Sequence, residues 1–405
     1  MASDSTNPDL RSVHPPPVME ARRWVSGVQF SAEQPLLDVS QAAPVDPPPE
    51  PLRRVLAEAA LSEPNAHTYG PVLGLPELRE TVATRWSTTY GGQILPGHVA
   101  ITSGCNQAFC AAALTLCRAG DALLVPCPWY FNHAMWLGMT GVEARPVPCD
   151  DSMIPDPEAI RARLDDRVRG VLLVTPNNPT GAEYPADLVL DVFDMARSEG
   201  ITLIIDETYR DFDSREGPLH DLFRQPDWDD TFVHLYSFSK AYRLTGHRVG
   251  AMIASPEFLA ESEKFLDTVS ICPNQLGQRG ALFGLRTLGD WLAGERSKIL
   301  ARRQAFEAGF SSLDGWRLKG CGAYFAFAEH PFEARSDVIA RQLVKDQSIL
   351  TIPGSMFVPL SEADSTDRSG SGDRHIRFAF ANIGIPEIDS LFHRLAAFRP
   401  DAATG

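Results

Sequence analysis

Lys240 stands in Ser237-Phe-Ser-Lys240, directly after an apolar run at residues 231–236, and Gly246-His-Arg248-Val-Gly250 follows it. A lysine amine near the tip of a buried strand loses hydration, which depresses its pKa and makes it nucleophilic. Asp206 ends the apolar run at 201–205 and opens Asp206-Glu-Thr-Tyr209. A carboxylate there is costly unless it is paired or hydrogen-bonded. An amine that forms a Schiff base with an aldehyde, and a carboxylate that keeps a pyridine nitrogen protonated, are the pairing pyridoxal phosphate chemistry requires. The plain alternative for Lys240 is a surface lysine. Ser237-x-x-Lys240 also reads as the S-x-x-K of a serine hydrolase, but its companion S-D-N and K-T-G motifs are absent.

Other strand tips carry polar groups too, where open α/β sheets bind their ligands. Ser103-Gly104-Cys105-Asn106 follows the run at 99–102 and opens a helix, whose free N–H groups and dipole favour an anion. A small residue at a tight turn would explain the same segment. Pro128-Trp129-Tyr130-Phe131 is an aromatic cluster that serves as core or as a platform for a ring. Thr175-Pro-Asn177-Asn178-Pro-Thr-Gly181 is rich in turn formers, yet places two amides at a tip.

The elements behind these tips read as short β-branched runs at 99–102, 122–126, 142–147, 170–175, 201–206, 231–236 and 249–254. Helical patterns at 106–118, 157–164 and 186–199 alternate with them. Buried strands alternating with helices predict a three-layer α/β fold with a mostly parallel seven-stranded sheet. Residues 275–313 are mainly helical and too long for one ordinary helix, with Gly280, Gly284 and Gly289 as candidate breaks. Strands at 323–328, 349–352 and 376–380 with helices at 337–346 and 386–398 predict a second, smaller α/β domain. The expected division is 1–50 for an N-terminal arm and part of the small domain, 51–285 for the large domain and 286–405 for the small one. The first 30 or so residues, with Pro15-Pro16-Pro17, read as an arm or frayed end, and 361–373 as a polar mobile loop.

The chain has 405 residues and a net charge of −15, which argues against a nucleic-acid partner that needs a basic surface. Its longest apolar runs fall far short of the ~20 residues that span a bilayer, and the N-terminus has no apolar signal segment. A cytoplasmic protein with no membrane partner is expected. Seven cysteines without C-x-x-C spacing read as incidental thiols of a reducing compartment, and no metal-ligand spacing appears.

Asn178-Pro-Thr-Gly181, Asp206-x-x-Tyr209, Ser237-x-Ser-Lys240 and Gly246-x-Arg248-x-Gly250 together resemble the class I/II aminotransferases of the aspartate aminotransferase fold (fold type I). Tyr69-Gly-x-x-x-Gly74-Leu-Pro-Glu-Leu-Arg79 and Arg377-Phe-Ala-Phe-Ala match as well, so the resemblance runs from about Leu37 to the C-terminus. It implies the cofactor pyridoxal 5′-phosphate and transfer of an amino group from an L-amino acid to a 2-oxo acid. Lys240 would be the Schiff-base lysine and the base at Cα, and Asp206 the partner of the pyridinium nitrogen. Asn178 and Tyr209 would hold the phenolate oxygen, and Tyr130 would stack on the ring. Gly104, Cys105, Asn106, Ser237, Ser239 and Arg248 would hold the phosphate, joined by Tyr69 of the other subunit in a homodimer with shared sites. Arg377 would grip the substrate α-carboxylate as a bidentate fork.

Three positions depart from the family's pattern. Ala42 stands where the family often has a glycine whose backbone helps hold the substrate. Arg243 stands where a small residue is usual, and His133 where relatives often have tyrosine. Rival readings are a β-eliminating lyase or cyclase on the same cofactor, and a non-catalytic ligand-sensing domain. The latter is normally fused to a DNA-binding region, and the first 50 residues show no helix-turn-helix pattern.

Overall fold

The computed structural model describes residues 7–359 and 372–400. A two-residue strand, β1 (Leu37–Asp38), precedes the main sheet. The sheet's strands are β2 (Val99–Thr102), β3 (Ala122–Cys127), β4 (Glu143–Pro148), β5 (Val168–Val174), β6 (Thr202–Asp206), β7 (Phe232–Ser237) and β8 (Gly250–Ile253). They lie in the order β2-β8-β7-β6-β5-β3-β4. Only β8 is reversed, antiparallel to both β2 and β7, while the other pairs are parallel. The mostly parallel seven-stranded sheet expected from the sequence is therefore present.

Side chains alternate across each strand, and that period of two builds two cores. On β5 and β6, Val171, Leu173, Leu203 and Ile205 face a layer containing Trp86, Tyr90 and Phe193. Leu172 and Ile204 face the other way, toward the helix Cys105–Leu116 with Ala108, Phe109 and Ala112. Each such leucine or isoleucine, fully buried, contributes about 1.5–3 kcal/mol. These runs carry no polar alternation because neither face meets water.

A third core surrounds β9 (Arg317–Gly322), β10 (Phe325–Glu329) and β13 (His375–Ala379), with Phe306, Phe310 and Leu391 from covering helices. The expected single strand at 349–352 is two. β11 (Ile349–Leu350) pairs with β1, and β12 (Ile352–Pro353) pairs with β13. β1 thereby binds the arm-side segment to the C-terminal part. The long helical stretch divides into Gln275–Thr287 and Gly289–Ser311 around Leu288, so of the three candidate glycines only Gly289 marks the break.

From residue 7 on, the N-terminal arm is not frayed. Pro17–Trp24 forms a helix, with Pro17 at its first position and Glu20 in its first turn. The expected mobile loop at 361–373 lies outside the described residues except for Gly372 and Asp373. Among the described residues no helix is long and apolar enough to cross a membrane.

Candidate active site

Gly104 adopts φ 87°, and a Cβ there would collide with the Arg248 guanidinium. A Cβ on Gly250 would likewise strike the backbone of Gly104 and Cys105 at 2.6 Å. Only glycine permits this closeness at both places. The helix Cys105–Leu116 thus begins against Arg248, with the N–H groups of Cys105 and Asn106 unused by the helix itself, while those of Gln107 and Ala108 donate to the Gly104 carbonyl. Cys105, Asn106, Ser237, Ser239 and Arg248 line one end of a cavity of about 140 Å³. A cation, two hydroxyls and a helix N-terminus suit a phosphate ester.

Asp206 lines the same cavity and is 4% exposed. Its Oδ2 lies 3.3 Å from His133 Nε2, and its Oδ1 accepts the Thr208 N–H at 2.9 Å. Burial alone would raise its pKa, but His133 and Thr208 outweigh burial and hold the carboxyl below its ordinary value. His133 is wedged between Phe109 and Tyr130, with ring centroids at 4.1 and 5.0 Å. An ionised carboxylate fixed in this way can keep an aromatic nitrogen protonated.

Lys240 Nζ donates to the Ala42 carbonyl at 2.7 Å and lies 5.9 Å from the Tyr209 ring centroid. Burial, then the positive charges of Arg248 and Arg377, depress its pKa to about 8. Arg377, 2% exposed, donates to Asn178 Oδ1 at 3.0 Å and to the Ser40 carbonyl. Burial lowers its pKa to about 10, so it stays charged at neutral pH. Arg377 and Ala42 line a second cavity of about 300 Å³. Tyr130, Asn178, Tyr209 and Lys240 border both cavities, so the amine stands where the inner and outer chambers meet.

The structure therefore gathers Cys105, Asn106, Tyr130, Asn178, Asp206, Tyr209, Ser237, Ser239, Lys240 and Arg248 around the inner chamber. Ala42 and Arg377 lie at the outer one, and Gly104 shapes the cradle. Tyr69 borders neither chamber of its own chain and is 78% exposed. Of the paired asparagines only Asn178 faces the chambers. Asn177 is used up in its turn, donating to the Val174 carbonyl and accepting from Thr180. Arg243, at φ 56°, is held by Glu295 at 2.5 Å and Asp46 at 3.3 Å and borders neither chamber.

Sequence reading missed two contributors. Thr208 supports Asp206 from two residues away, a short turn that any polar residue would fit. The helix Pro17–Trp24 lines the outer chamber through Pro17, Val18, Met19 and Arg22. Its signal was present as a proline followed three residues later by a glutamate.

Comparison with known proteins identifies the family and the fold. Residues 29–395 match the family described as aminotransferase class I and II. An aromatic aminotransferase of Arabidopsis thaliana is 30% identical over 318 residues, 76% of this chain and 78% of the relative. A valine–pyruvate aminotransferase of Mycobacterium tuberculosis is 27% identical over 90% of this chain and 91% of its own. An aminotransferase crystal structure from the same organism superposes with a TM-score of 0.85 at 25% identity, covering 98% of this chain and 99% of that one. Aspartate aminotransferase of Thermus thermophilus shares the fold, with a TM-score of 0.86 at 20% identity over 97% and 99% of the two chains.

Proposed function

The chain belongs to the class I and II aminotransferases, transferases that depend on pyridoxal phosphate, and on that premise we propose that Lys240 both carries the cofactor and moves the substrate proton. The activity is transfer of an amino group between an amino acid and a 2-oxo acid. The observation that carries the residue roles is the placement of Lys240 on the border of two chambers, one suited to a phosphorylated ring and one to a carboxylate. Pyridoxal phosphate, when bound, supplies a conjugated ring that takes up the electron pair left when a Cα–H bond breaks.

The protein's own groups divide the remaining work. Gly104, Cys105, Asn106, Ser237, Ser239 and Arg248 would hold the phosphate. Asp206, oriented by His133, would keep the ring nitrogen protonated. Asn178 and Tyr209 would donate to the ring oxygen, and Tyr130 would pack against the ring. Arg377 holds the α-carboxylate, which aims Cα–H at Lys240. The neutral amine would accept that proton and return it to the cofactor's C4′ carbon, on the far side of the transferred nitrogen, as general base and then general acid, a role typically worth about 10²–10⁴-fold. The depressed pKa of Lys240 serves this, because a value of about 8 leaves roughly a tenth of the amine neutral at pH 7, where an ordinary lysine leaves less than about a thousandth.

Borohydride reduction of the cofactor-loaded enzyme should fix the cofactor to Lys240, with the label found there by peptide mapping. In the metal-free, cofactor-free protein the capture rate should rise with pH through about 8 and level off above it, because only the neutral amine attacks. A reducible adduct that survives Lys240→Ala would show the assignment to be wrong. A keto-acid product with glutamate formed from 2-oxoglutarate separates amino transfer from β-elimination, which would release pyruvate and ammonia.

A homodimer with shared sites, working in the cytoplasm, completes the reading. Tyr69 is exposed, and the Gly70 N–H joins its loop to Cys272 Sγ at 3.4 Å. Val269 and Ile271 beside that contact are 58% and 40% exposed, an apolar face fit for a second copy. The seven cysteines form no disulfide with one another, which is compatible with a reducing compartment. The same reading divides the chain near residues 50 and 285. Mixed dimers of Tyr69→Phe and Lys240→Ala subunits should regain activity over either mutant homodimer, because one site then carries both lesions and the other neither. A fully active monomer in sedimentation would rule the sharing out.

A further inference from the structure

Arg243 stands three residues after Lys240, and the reading above leaves it unused. Its backbone lies at φ 56°, in the left-handed region where glycine is free of strain and an arginine is not. The side chain offsets that cost through contacts with two other segments. Its Nη2 lies 2.5 Å from Glu295 Oε2 and 3.3 Å from Asp46 Oδ2, and its Nη1 donates to the Pro47 carbonyl at 3.3 Å. The guanidinium also sits 5.5 Å from the Trp291 ring centroid. Arg243 and Glu295 are largely shielded from water, so their attraction is screened less than that of a surface pair. Glu295 belongs to the helix Gly289–Ser311, which makes it a fixed post, whereas Asp46 is exposed on an irregular stretch.

That stretch has few other ties. Upstream of it, the Val39 N–H donates to the Leu350 carbonyl at 2.9 Å, and the Val39 carbonyl accepts from Ala379 at 2.8 Å. The next carbonyls meet the cations of the site. That of Ser40 accepts from Arg377, and that of Ala42 accepts from Lys240 Nζ at 2.7 Å. Then comes Pro44-Val-Asp-Pro-Pro48, whose three prolines have no N–H to donate. Among the described residues, the hydrogen bonds and ion pairs to 44–48 all come from Arg243. The turn that carries the reacting amine thus also anchors the far end of the segment that receives it.

We propose that Arg243 is a positioning residue. By holding Asp46 and Pro47 against the turn of Lys240, it keeps Ser40, Gln41 and Ala42 at the wall of the outer chamber, where Ser40 steadies Arg377. This assignment rests on the role given above to Arg377.

Hydrogen exchange on the cofactor-loaded enzyme, without substrate, reads the anchor directly. Arg243→Gly relieves the backbone strain while removing the fork, so the fold should persist. The amides of Gln41–Asp46 should then exchange about tenfold faster while those of β7 keep their protection. With the wall loosened, KM should rise about three- to tenfold for every donor the enzyme accepts, with kcat within about twofold, because the α-carboxylate contact is common to them all. Arg243→Lys keeps the charge and should recover part of both effects. Asp46→Asn should reproduce part of them and add little on top of Arg243→Gly, since the two residues act as one contact.

Unchanged exchange at Gln41–Asp46 in Arg243→Gly overturns the assignment, as does faster exchange with no change in KM. Equal acceleration throughout the protein also overturns it, because Arg243 would then only stabilise the fold. The exchange contrast does not depend on substrate. If it held while Arg377→Ala left KM unaltered, the α-carboxylate reading would fall and the anchor would stand.

Discussion

Asp206 and Glu207 are consecutive carboxylates at one strand tip, 4% and 0% exposed, and they do opposite things. The alternation that sends Ile204 to one core and Ile205 to the other continues past the end of β6. Asp206 therefore falls on the side of Phe109 and His133, facing the inner chamber. Glu207 falls on the side of Trp86 and Tyr90, inside a closed polar cluster. There the Tyr90 hydroxyl donates to Glu207 Oε2, His234 Nε2 lies 2.9 Å and His220 Nε2 3.1 Å from its oxygens. The Arg210 guanidinium sits over the rings of Trp86 and Tyr90 at 4.4 and 4.8 Å. Burial would raise the Glu207 pKa, but His220 and His234 hold it well below the ordinary range. His234 is itself pushed toward its neutral form by burial, which leaves it to act as a hydrogen-bond donor. Burial and a histidine partner are common to both acids. What distinguishes a chemical carboxylate from a structural one here is an unfilled space in front of it.

Three substitutions sharpen that contrast. Asp206→Ala should slow Cα proton removal by roughly 10²–10³, the usual loss when one preorganised charge is removed, while cofactor retention falls much less. Single-turnover absorbance with an amino-acid donor measures it, and a mutant that merely lost the cofactor would erase the distinction from the electronic side. Glu207→Ala should cost about 3–5 kcal/mol of stability, because it strands buried partners, yet leave activity per folded molecule near wild type. Denaturant titration with active-site counting reads both, and a stable but inactive protein would place Glu207 in the chemistry after all. Glu207→Gln should have the smallest effect, and one that depends on pH. The folded pKa of Glu207 is depressed, so its stabilisation is present above the unfolded value of about 4.3 and lost as pH falls through the folded value. The stability gap between wild type and Glu207→Gln should therefore shrink in acid, and a gap that widened there would reverse the sign assigned to the cluster.

The sequence made much of this visible, and unevenly. The runs ending at Asp206 and Ser237 announce buried strands, because a sheet covered on both faces tolerates no polar alternation. The groups just beyond those tips were legible for the same reason. Composition could not separate Asp206 from Glu207, since a strand pattern says that faces alternate but not which face holds the cavity. Asp206 stands out as the first charge after the apolar run, and the motif resemblance gives it a role. His133 was left open because its role depends on a carboxylate far along the chain. The helix Pro17–Trp24 reads as an arm from sequence because its apolar face is short, with Ala21 alone fully buried in the core while Pro17, Val18 and Met19 border the outer chamber. Arg243 departs from the family's pattern without a direction legible in sequence, because the acids that hold it, Asp46 and Glu295, are distant in sequence.

The one reversed strand, β8, gives the site an uneven history of assembly. Ser237 pairs with Gly250 across antiparallel strands, so Lys240 and Arg248 lie on a single connection between neighbours. Asn178 meets Arg377 across 199 positions of chain, and Lys240 meets the Ala42 carbonyl across 198. Closing a longer loop adds entropy only slowly, but such contacts must wait until most of the chain is in place. Lys240 and Arg248 are thus one local module, and an insertion between them would disturb their mutual register directly. Insertions elsewhere in the long crossovers would be absorbed at the surface, which makes the 238–249 connection the segment whose length this chemistry is least free to vary.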